Sequence, residues 1–365
     1  MKVLFDARWI LVENRFDGVS RYSHELAWAM SRREDLQMIW LVHDDRQLAK
    51  LPAGEHVMTN DPNDPLAEFF TLGFKLNNID CDVVYSPFFM MGTFGKRYKL
   101  VLTIHDLIYF RHRTPPHWLP WYVRVGWWLF HMSYSPLRFQ LNAADSIATV
   151  SETARQELLA VKATRRDITT VSNATSDHFV DTEPRNHHAS NEILYMGAFT
   201  PYKNVECLID ALALLPDVTL HLCGKMPPAR GKVFEQRMRD KGVFERVIVH
   251  NGVDDETYKQ LLRKVRCSVT ASRHEGFGLP VIEAQQARVP VACSDTPIFR
   301  EVAGESALFF SPDSPEQCAD IIKQFADKQI SDEYIARGAT NVARYTWDNS
   351  AAVAAEICHN LTNNT

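Results

Sequence analysis

The chain has 365 residues, 45% of them hydrophobic and 23% charged, with a formal charge of −5. That balance suits two α/β domains of roughly 150–180 residues each, every one able to bury its own core. It excludes a strongly basic nucleic-acid binder, and the absence of any apolar run of roughly 18 residues excludes a spanning helix. Seven scattered cysteines form no Cys-x-x-Cys pair and read as reduced, small apolar side chains of a cytosolic protein. Met1-Lys2-Val3-Leu4-Phe5 runs straight into Asp6, so no signal peptide is expected.

In chain order, Lys2–Phe5 reads as a first strand. A loop through Asp17-Gly18 enters a helix from Val19 to about Arg32, with Tyr22, Leu26, Ala29 and Met30 at helical spacing. Met38–Val42, Val83–Ser86, Leu100–Ile104 and Ser146–Val150 are short apolar runs with polar borders, as expected of parallel strands buried on both faces. The polar run 181–190 has no apolar periodicity and is the predicted linker. After it the rhythm restarts, with strands at Ile193–Met196, Thr219–Cys223, Val247–His250, Ser268–Thr270 and Val289–Cys293. Helices are expected near Glu206–Leu215, Asp255–Lys264, Pro280–Ala287 and Pro315–Lys328. This alternation predicts an α/β fold of two Rossmann-like domains with parallel sheets, 1–180 and 191–346. Ligands of such sheets bind beyond the carboxyl ends of the strands, so an inter-domain cleft is the expected site.

The most informative stretch is Ser272-Arg-His-Glu-Gly-Phe-Gly-Leu-Pro-Val-Ile-Glu-Ala284. Gly276 and Gly278 permit a tight turn and close approach of a ligand to backbone, and Pro280 opens a helix whose first-turn N–H groups suit an anion. Glu275 lies just outside that turn and Glu283 on the helix's first turn, both able to accept hydrogen bonds from sugar hydroxyls. A plain glycine-rich turn, with Glu283 complementing the helix dipole, fits the same residues.

Glu275 to Ala284 resembles the signature of retaining glycosyltransferases of family 4, two glutamates spaced Glu-x7-Glu within E-G-F-G-L-P-x-x-E-A. Other pieces follow in the family's order: Asp17-Gly18-Val-Ser-Arg-Tyr22, Thr103-Ile-His105-Asp106-Leu107, Thr149-Val-Ser151-Glu152, Tyr195-Met-Gly197 with Lys203-Asn204, and Ser294-Asp295 with Glu301-Val-Ala-Gly304. The resemblance spans essentially the whole chain and implies a GT-B fold, two facing Rossmann-like domains with the donor held by the second. It also implies that a last helix, Trp347 to about Leu361, crosses back so that 347–365 joins the first domain.

Carried onto this sequence, the resemblance makes Lys203 the group that neutralises the leaving diphosphate, while the chemistry of Glu275 and Glu283 suits one of them to the donor sugar and the other to a ribose. Gly197, Gly276, Phe277, Gly278 and Leu279 complete the donor pocket, and Gly18 lets the first helix approach phosphate or acceptor. His105, at the end of a first-domain strand, is expected to contact the donor sugar, with Asp106 capping the next turn. Relatives usually carry an arginine where this chain has Tyr202, which leaves the second phosphate contact open; Arg273 is the candidate substitute and Arg230 a weaker one. His274 is read as structural. The implied reaction is retaining transfer of a hexose from a nucleotide-diphosphate sugar, by a front-face route without metal or cofactor. GDP-mannose is favoured over UDP-sugars, and the acceptor is a glycan or lipid-linked glycan of surface polysaccharide or glycoconjugate biosynthesis. A sugar-nucleotide epimerase of the same fold, or a sugar-nucleotide-binding protein without turnover, are the rivals. A dinucleotide oxidoreductase is disfavoured because Gly276-Phe277-Gly278 lacks the G-x-G-x-x-G spacing.

Trp118, Trp121, Tyr122, Val125, Trp128, Leu129 and Met132 fall at helical spacing, interleaved with Arg111, Arg113, Arg124 and Arg138. Three readings stand: peripheral membrane contact through 111–138 at the inner face of the membrane, an apolar face packed on the first domain's sheet, or an acceptor cleft lined by aromatic rings. The expected location is cytoplasmic in every case, and no nucleic-acid partner is expected.

Overall fold

The computed structural model describes residues 1–12, 18–115, 119–183 and 185–363. Asp17 and Trp118 therefore lie outside the described residues. The chain divides into two compact units, Met1–Asn173 with Thr346–Thr365, and Ala174–Tyr345.

The first unit is built on seven parallel strands: β1 (Lys2–Asp6), β2 (Gln37–Val42), β3 (Glu55–Met58), β4 (Val83–Ser86), β5 (Lys99–Ile104), β6 (Ser146–Thr149) and β7 (Ile168–Thr170). They lie in the order β3-β2-β1-β4-β5-β6-β7, with Leu4 opposite Ile39 on one side and Val84 on the other. Helices on both faces bury the central strands, so Val3, Leu4 and Phe5 of β1 lose all contact with solvent. The helix Trp347–Asn363 belongs to this unit and packs on the helix Gly18–Ser31. Its Trp347 ring meets Tyr22 edge-on at 5.9 Å, and Ser350 Oγ donates to the Ser172 carbonyl at 2.7 Å.

The second unit repeats the plan with six parallel strands: β8 (Glu192–Tyr195), β9 (Thr219–Leu222), β10 (Val247–Val249), β11 (Cys267–Thr270), β12 (Val291–Ser294) and β13 (Leu308–Phe310). Their order is β10-β9-β8-β11-β12-β13. Strand order reverses between β8 and β11, so the loops after these two strands leave a crevice at their carboxyl ends. The core gathers Tyr195, Phe199, Leu208, Phe234, Phe310 and Phe325.

Ten predicted strands are present, shifted by one or two residues at their ends. The three that the sequence pattern misses, β3, β7 and β13, each lie at the edge of a sheet. Edge strands are short and half-solvated, so Glu55-His-Val-Met58 carries no apolar run to detect.

The predicted linker 181–190 is corrected, because it packs into the second unit. The side chain of Asp181 is 3% exposed and accepts from Arg263 Nε at 2.8 Å, while buried His187 bonds through Nδ1 to the Val265 carbonyl at 2.6 Å. The chain changes unit earlier, between Asn173 and Ala174. Polar composition misled here because the polar groups are satisfied internally, a property that composition does not encode. Cys81 is half-buried and the other six cysteines are buried, all free.

Candidate functional site

The loop after β8 begins with Gly197, whose φ is +154° and whose absent Cβ leaves room for the Tyr195 hydroxyl. That hydroxyl donates to the Ala198 carbonyl at 2.6 Å, and burial raises the phenol's pKa well above its ordinary value, with the Glu275 carboxylate adding to the rise. Gly224 packs so closely that a Cβ there would stand 1.7 Å from the Gly197 oxygen. Arg230 Nε donates to the Phe199 carbonyl at 2.9 Å, while its other arm holds Glu206 at 2.5 Å. The loop is thereby fixed at three points before it reaches the one-turn 3-10 segment Pro201–Lys203.

Lys203 is placed by its neighbour. Asn204 adopts the left-handed conformation (φ 54°, ψ 39°) and starts the helix Val205–Leu212. Its amide donates to the carbonyls of Ala271 at 3.2 Å and Pro312 at 2.8 Å, tying this loop to the segments after β11 and β13. A further bond joins Arg273 N to the Tyr202 carbonyl at 2.8 Å. The outcome is that Lys203 Nζ lies 2.6 Å and 2.7 Å from the two carboxylate oxygens of Glu275, with the two side chains 17% and 12% exposed. An ammonium has three donors, so Lys203 can hold both oxygens and still offer one N–H outward. The Tyr202 ring flanks the ammonium at 5.8 Å.

Glu275 stands five residues beyond β11 and leads into the Gly276-Phe-Gly278 turn. Gly278 has φ +91°, and a Cβ there would meet the Phe299 ring at 2.7 Å, so only glycine fits without strain. Phe277 is buried and packs edge-on against Tyr345 at 5.3 Å, fixing the turn from below. The helix opens at Leu279, and Val281 N already bonds to the Gly278 carbonyl at 3.0 Å. Pro280 has no N–H, so an anion at this helix start would be met by backbone of the Gly276–Leu279 turn, not by the next turn of helix. Glu283 is corrected in position: it lies in the helix's second turn and is buried, with 5% exposure. Ser294 Oγ donates to the Ser272 carbonyl at 2.5 Å and braces the segment before the turn.

Arg273 does not join this pair. Its guanidinium is held by Asp313 Oδ1 at 2.6 Å. Arg230 sits on the Gly197–Lys203 loop, but its guanidinium is likewise paired, with Glu206.

His105 and Gly18 belong to the first unit. His105 Nε2 lies 2.9 Å from the Pro87 carbonyl, which can only accept, so Nε2 carries the proton and Nδ1 presents a lone pair. Burial pushes the ring's pKa down to about 4, and the neutral imidazole stacks edge-on against Tyr22 at 4.9 Å. Asp106 Oδ1 accepts from Ile108 N at 2.8 Å, the expected cap. An added Cβ at Gly18 meets nothing within 4 Å among the described residues, so sterics do not require glycine there. Sequence reasoning named Asn204 only as the neighbour of Lys203 in the family pattern, and gave no role to it or to Gly224. The first carried a signal in its place between a lysine and a helix; the second had only a strand end.

Residues 16–178 match the family described as Glycosyltransferase Family 4, and residues 180–342 match glycosyl transferases group 1. The chain is similar to the O-antigen chain mannosyltransferase B of Escherichia coli, 26% identical over 96% of this chain and 97% of that relative. It is also similar to the O-antigen chain mannosyltransferase RfbU of Salmonella typhimurium, 33% identical over 44% of each chain. Among solved structures, sucrose-phosphate synthase from Thermosynechococcus elongatus superposes with a TM-score of 0.75 over 100% of both chains at 15% identity.

Proposed function

Because this chain is a glycosyltransferase of the GT-B fold, with halves belonging to the Family 4 and group 1 families, we propose that it transfers mannose from GDP-mannose. The acceptor in this reading is a glycan or lipid-linked glycan of surface polysaccharide biosynthesis, and the anomeric configuration is retained. The names of the relatives, mannosyltransferases of the O-antigen chain, support the sugar and the class of acceptor.

The observation that carries the reading is the Lys203–Glu275 pair beside the Gly276–Gly278 turn. Departure of a nucleoside diphosphate develops negative charge on the bridging phosphate oxygen. Lys203 meets that charge with its outward N–H, and turn amides supply further donors, fixed before the reaction begins. Glu275, held by the same ammonium, accepts from a hydroxyl of the donor sugar and fixes the ring against the diphosphate. The leaving phosphate itself takes the acceptor proton in a front-face displacement, so the new glycosidic bond forms on the face the diphosphate leaves. His105 Nδ1, neutral throughout the physiological range, can accept from a sugar hydroxyl. We assign the diphosphate to Lys203 and backbone, and expect turnover to survive a chelator.

The test incubates purified protein with GDP-mannose or UDP-glucose, with and without lipid-linked glycan, and follows nucleotide release and product anomer by NMR. Selective turnover of GDP-mannose to an α-linked product, lost in Glu275→Ala, is the expected result. Isomerised sugar nucleotide without acceptor would replace the reading with an epimerase. Tight donor binding with neither transfer nor hydrolysis would favour the binding-protein reading, which Tyr202 in place of the usual arginine supports.

A further inference from the structure

The first unit carries a surface on which none of the residues assigned above to the transfer chemistry lies. Between Asp106 and Asp145 the chain has no acidic residue, although 45 of its 365 residues are Asp or Glu. This acid-free stretch includes the helix Trp121–His131. Only one side of that helix packs inward: Trp127 stacks on His131 at 3.9 Å, and Phe130 meets Phe110 at 6.0 Å. The predicted stripe faces the other way. Trp121 is 76% exposed, and Tyr122, Val125, Trp128, Leu129 and Met132 are exposed with it, which corrects the expectation that this face packs on the core.

Three residues further on, the helix Ser135–Asn142 continues the surface with Phe139, 79% exposed. Phe139 lines an open hollow of about 1160 Å³ together with Arg138, Lys162, Arg165 and Arg166, and no lining residue is acidic. Arg138 and Arg166 donate to carbonyls at two helix ends, Val161 at 2.7 Å and Asn142 at 3.1 Å. Carbonyls orient these guanidinium groups without neutralising them. None of the four cations forms an ion pair among the described residues, whereas most other arginines of the chain do. Asp167 follows in sequence but does not line the hollow.

We infer that the exposed Trp121–Met132 stripe and the Arg138/Lys162/Arg165/Arg166 hollow form one docking face for a bilayer surface rich in anionic phospholipid. An acidic chain that keeps a concentrated cationic hollow beside exposed tryptophans has the charge and the apolar wedge of an interfacial binder. Tryptophan and tyrosine rings sit at the headgroup level, and the guanidinium groups pair bidentately with headgroup phosphates. A protein partner would need an acidic surface with its own apolar groove, whereas the bilayer supplies both features at once. No helix among the described residues is long and apolar enough to cross a membrane, so contact through this face is peripheral.

The inference stands independently of the donor assignment, and its test reads the two separately. The full chain is sedimented with phosphatidylcholine vesicles containing or lacking 30% phosphatidylglycerol, and binding of GDP is measured on the same samples. Wild type is expected to partition onto the anionic vesicles alone, several-fold less at 0.5 M than at 0.1 M salt. Lys162→Asn with Arg165→Gln removes two charges while suiting the left-handed backbone at Lys162 (φ 52°). At roughly fivefold per cation near an anionic surface, this pair lowers the partition coefficient about 25-fold. Trp121→Ser with Trp128→Ser, both at exposed positions, lowers it at high salt as well, where the charge contribution is screened. Unchanged GDP affinity and melting temperature show that both variants are folded. Equal recovery with neutral and anionic vesicles, recovery only in the supernatant, or indifference to the charge-removing pair would each overturn the inference.

Discussion

Substituting the two members of the Lys203–Glu275 pair should move nucleotide affinity in opposite directions. The pair is bonded at 2.6–2.7 Å and mostly sequestered from water, so its charges act on a bound diphosphate through a partly excluded medium. A unit charge about 4 Å from a phosphate oxygen at an effective dielectric near 20 is worth about 4 kcal/mol before hydration is recovered. Lys203 shares its charge with Glu275 and keeps some solvent contact, which reduces the net to about 2 kcal/mol. Lys203→Met should therefore weaken GDP binding roughly 30-fold by calorimetry. Glu275→Gln removes a negative charge beside the diphosphate, so GDP affinity should hold or tighten by a few-fold. Turnover of the sugar nucleotide should nevertheless fall about 10- to 100-fold, the worth of a charged hydrogen bond to a sugar hydroxyl. If Lys203→Met binds GDP within threefold of wild type, or both variants shift affinity the same way, the assigned roles are wrong.

Gly278→Ala should cost about 1–3 kcal/mol in chemical unfolding and depress donor binding, because the added methyl meets both an unfavourable φ and the Phe299 ring. Arg8→Met should be among the most damaging single changes to the first unit, about 3–5 kcal/mol by urea unfolding. Arg8 binds both buried carboxylates, Asp6 at 2.7 Å and Glu68 at 2.6 Å, and its loss leaves the two together without a cation. His105 imposes a pH dependence whose sign follows from its lowered pKa: the unfolded ring takes its proton near 6.5, the folded ring only near 4. Stability linked to this residue is thus complete above pH 6.5 and drains as pH falls toward 4, by at most about 3 kcal/mol. His105→Gln keeps a donor for the Pro87 carbonyl, so its unfolding free energy between pH 7 and 4.5 should fall less than that of wild type.

Buried parallel strands announce themselves as apolar runs, which is why β1, β4 and β5 were legible, and glycine with proline marked the Gly278–Pro280 turn equally well. Contacts between segments far apart in sequence were not legible. Nothing local to Arg273 reveals that Asp313, forty residues on, holds its guanidinium. Likewise the 3.6-residue period of Trp121–Met132 identified a helix with an apolar face, but periodicity cannot tell whether that face meets protein or solvent. The family pattern gave Lys203 and Glu275 roles at one donor without pairing them; the cause of their pairing, the strap from Asn204 to Ala271 and Pro312, is a tertiary hydrogen-bond arrangement without a sequence period.

The first unit is discontinuous, since residues 174–345 are threaded into it between Asn173 and the helix Trp347–Asn363. During translation the ribosome delivers that helix only after the whole second unit has been made. Until then the helix Gly18–Ser31 lacks the packing that this last helix supplies, Trp347 against Tyr22 included, and the first unit must wait while the second closes on its own. The order of synthesis and the order of completion are therefore reversed, and the nascent first unit is the part of this protein most in need of a chaperone.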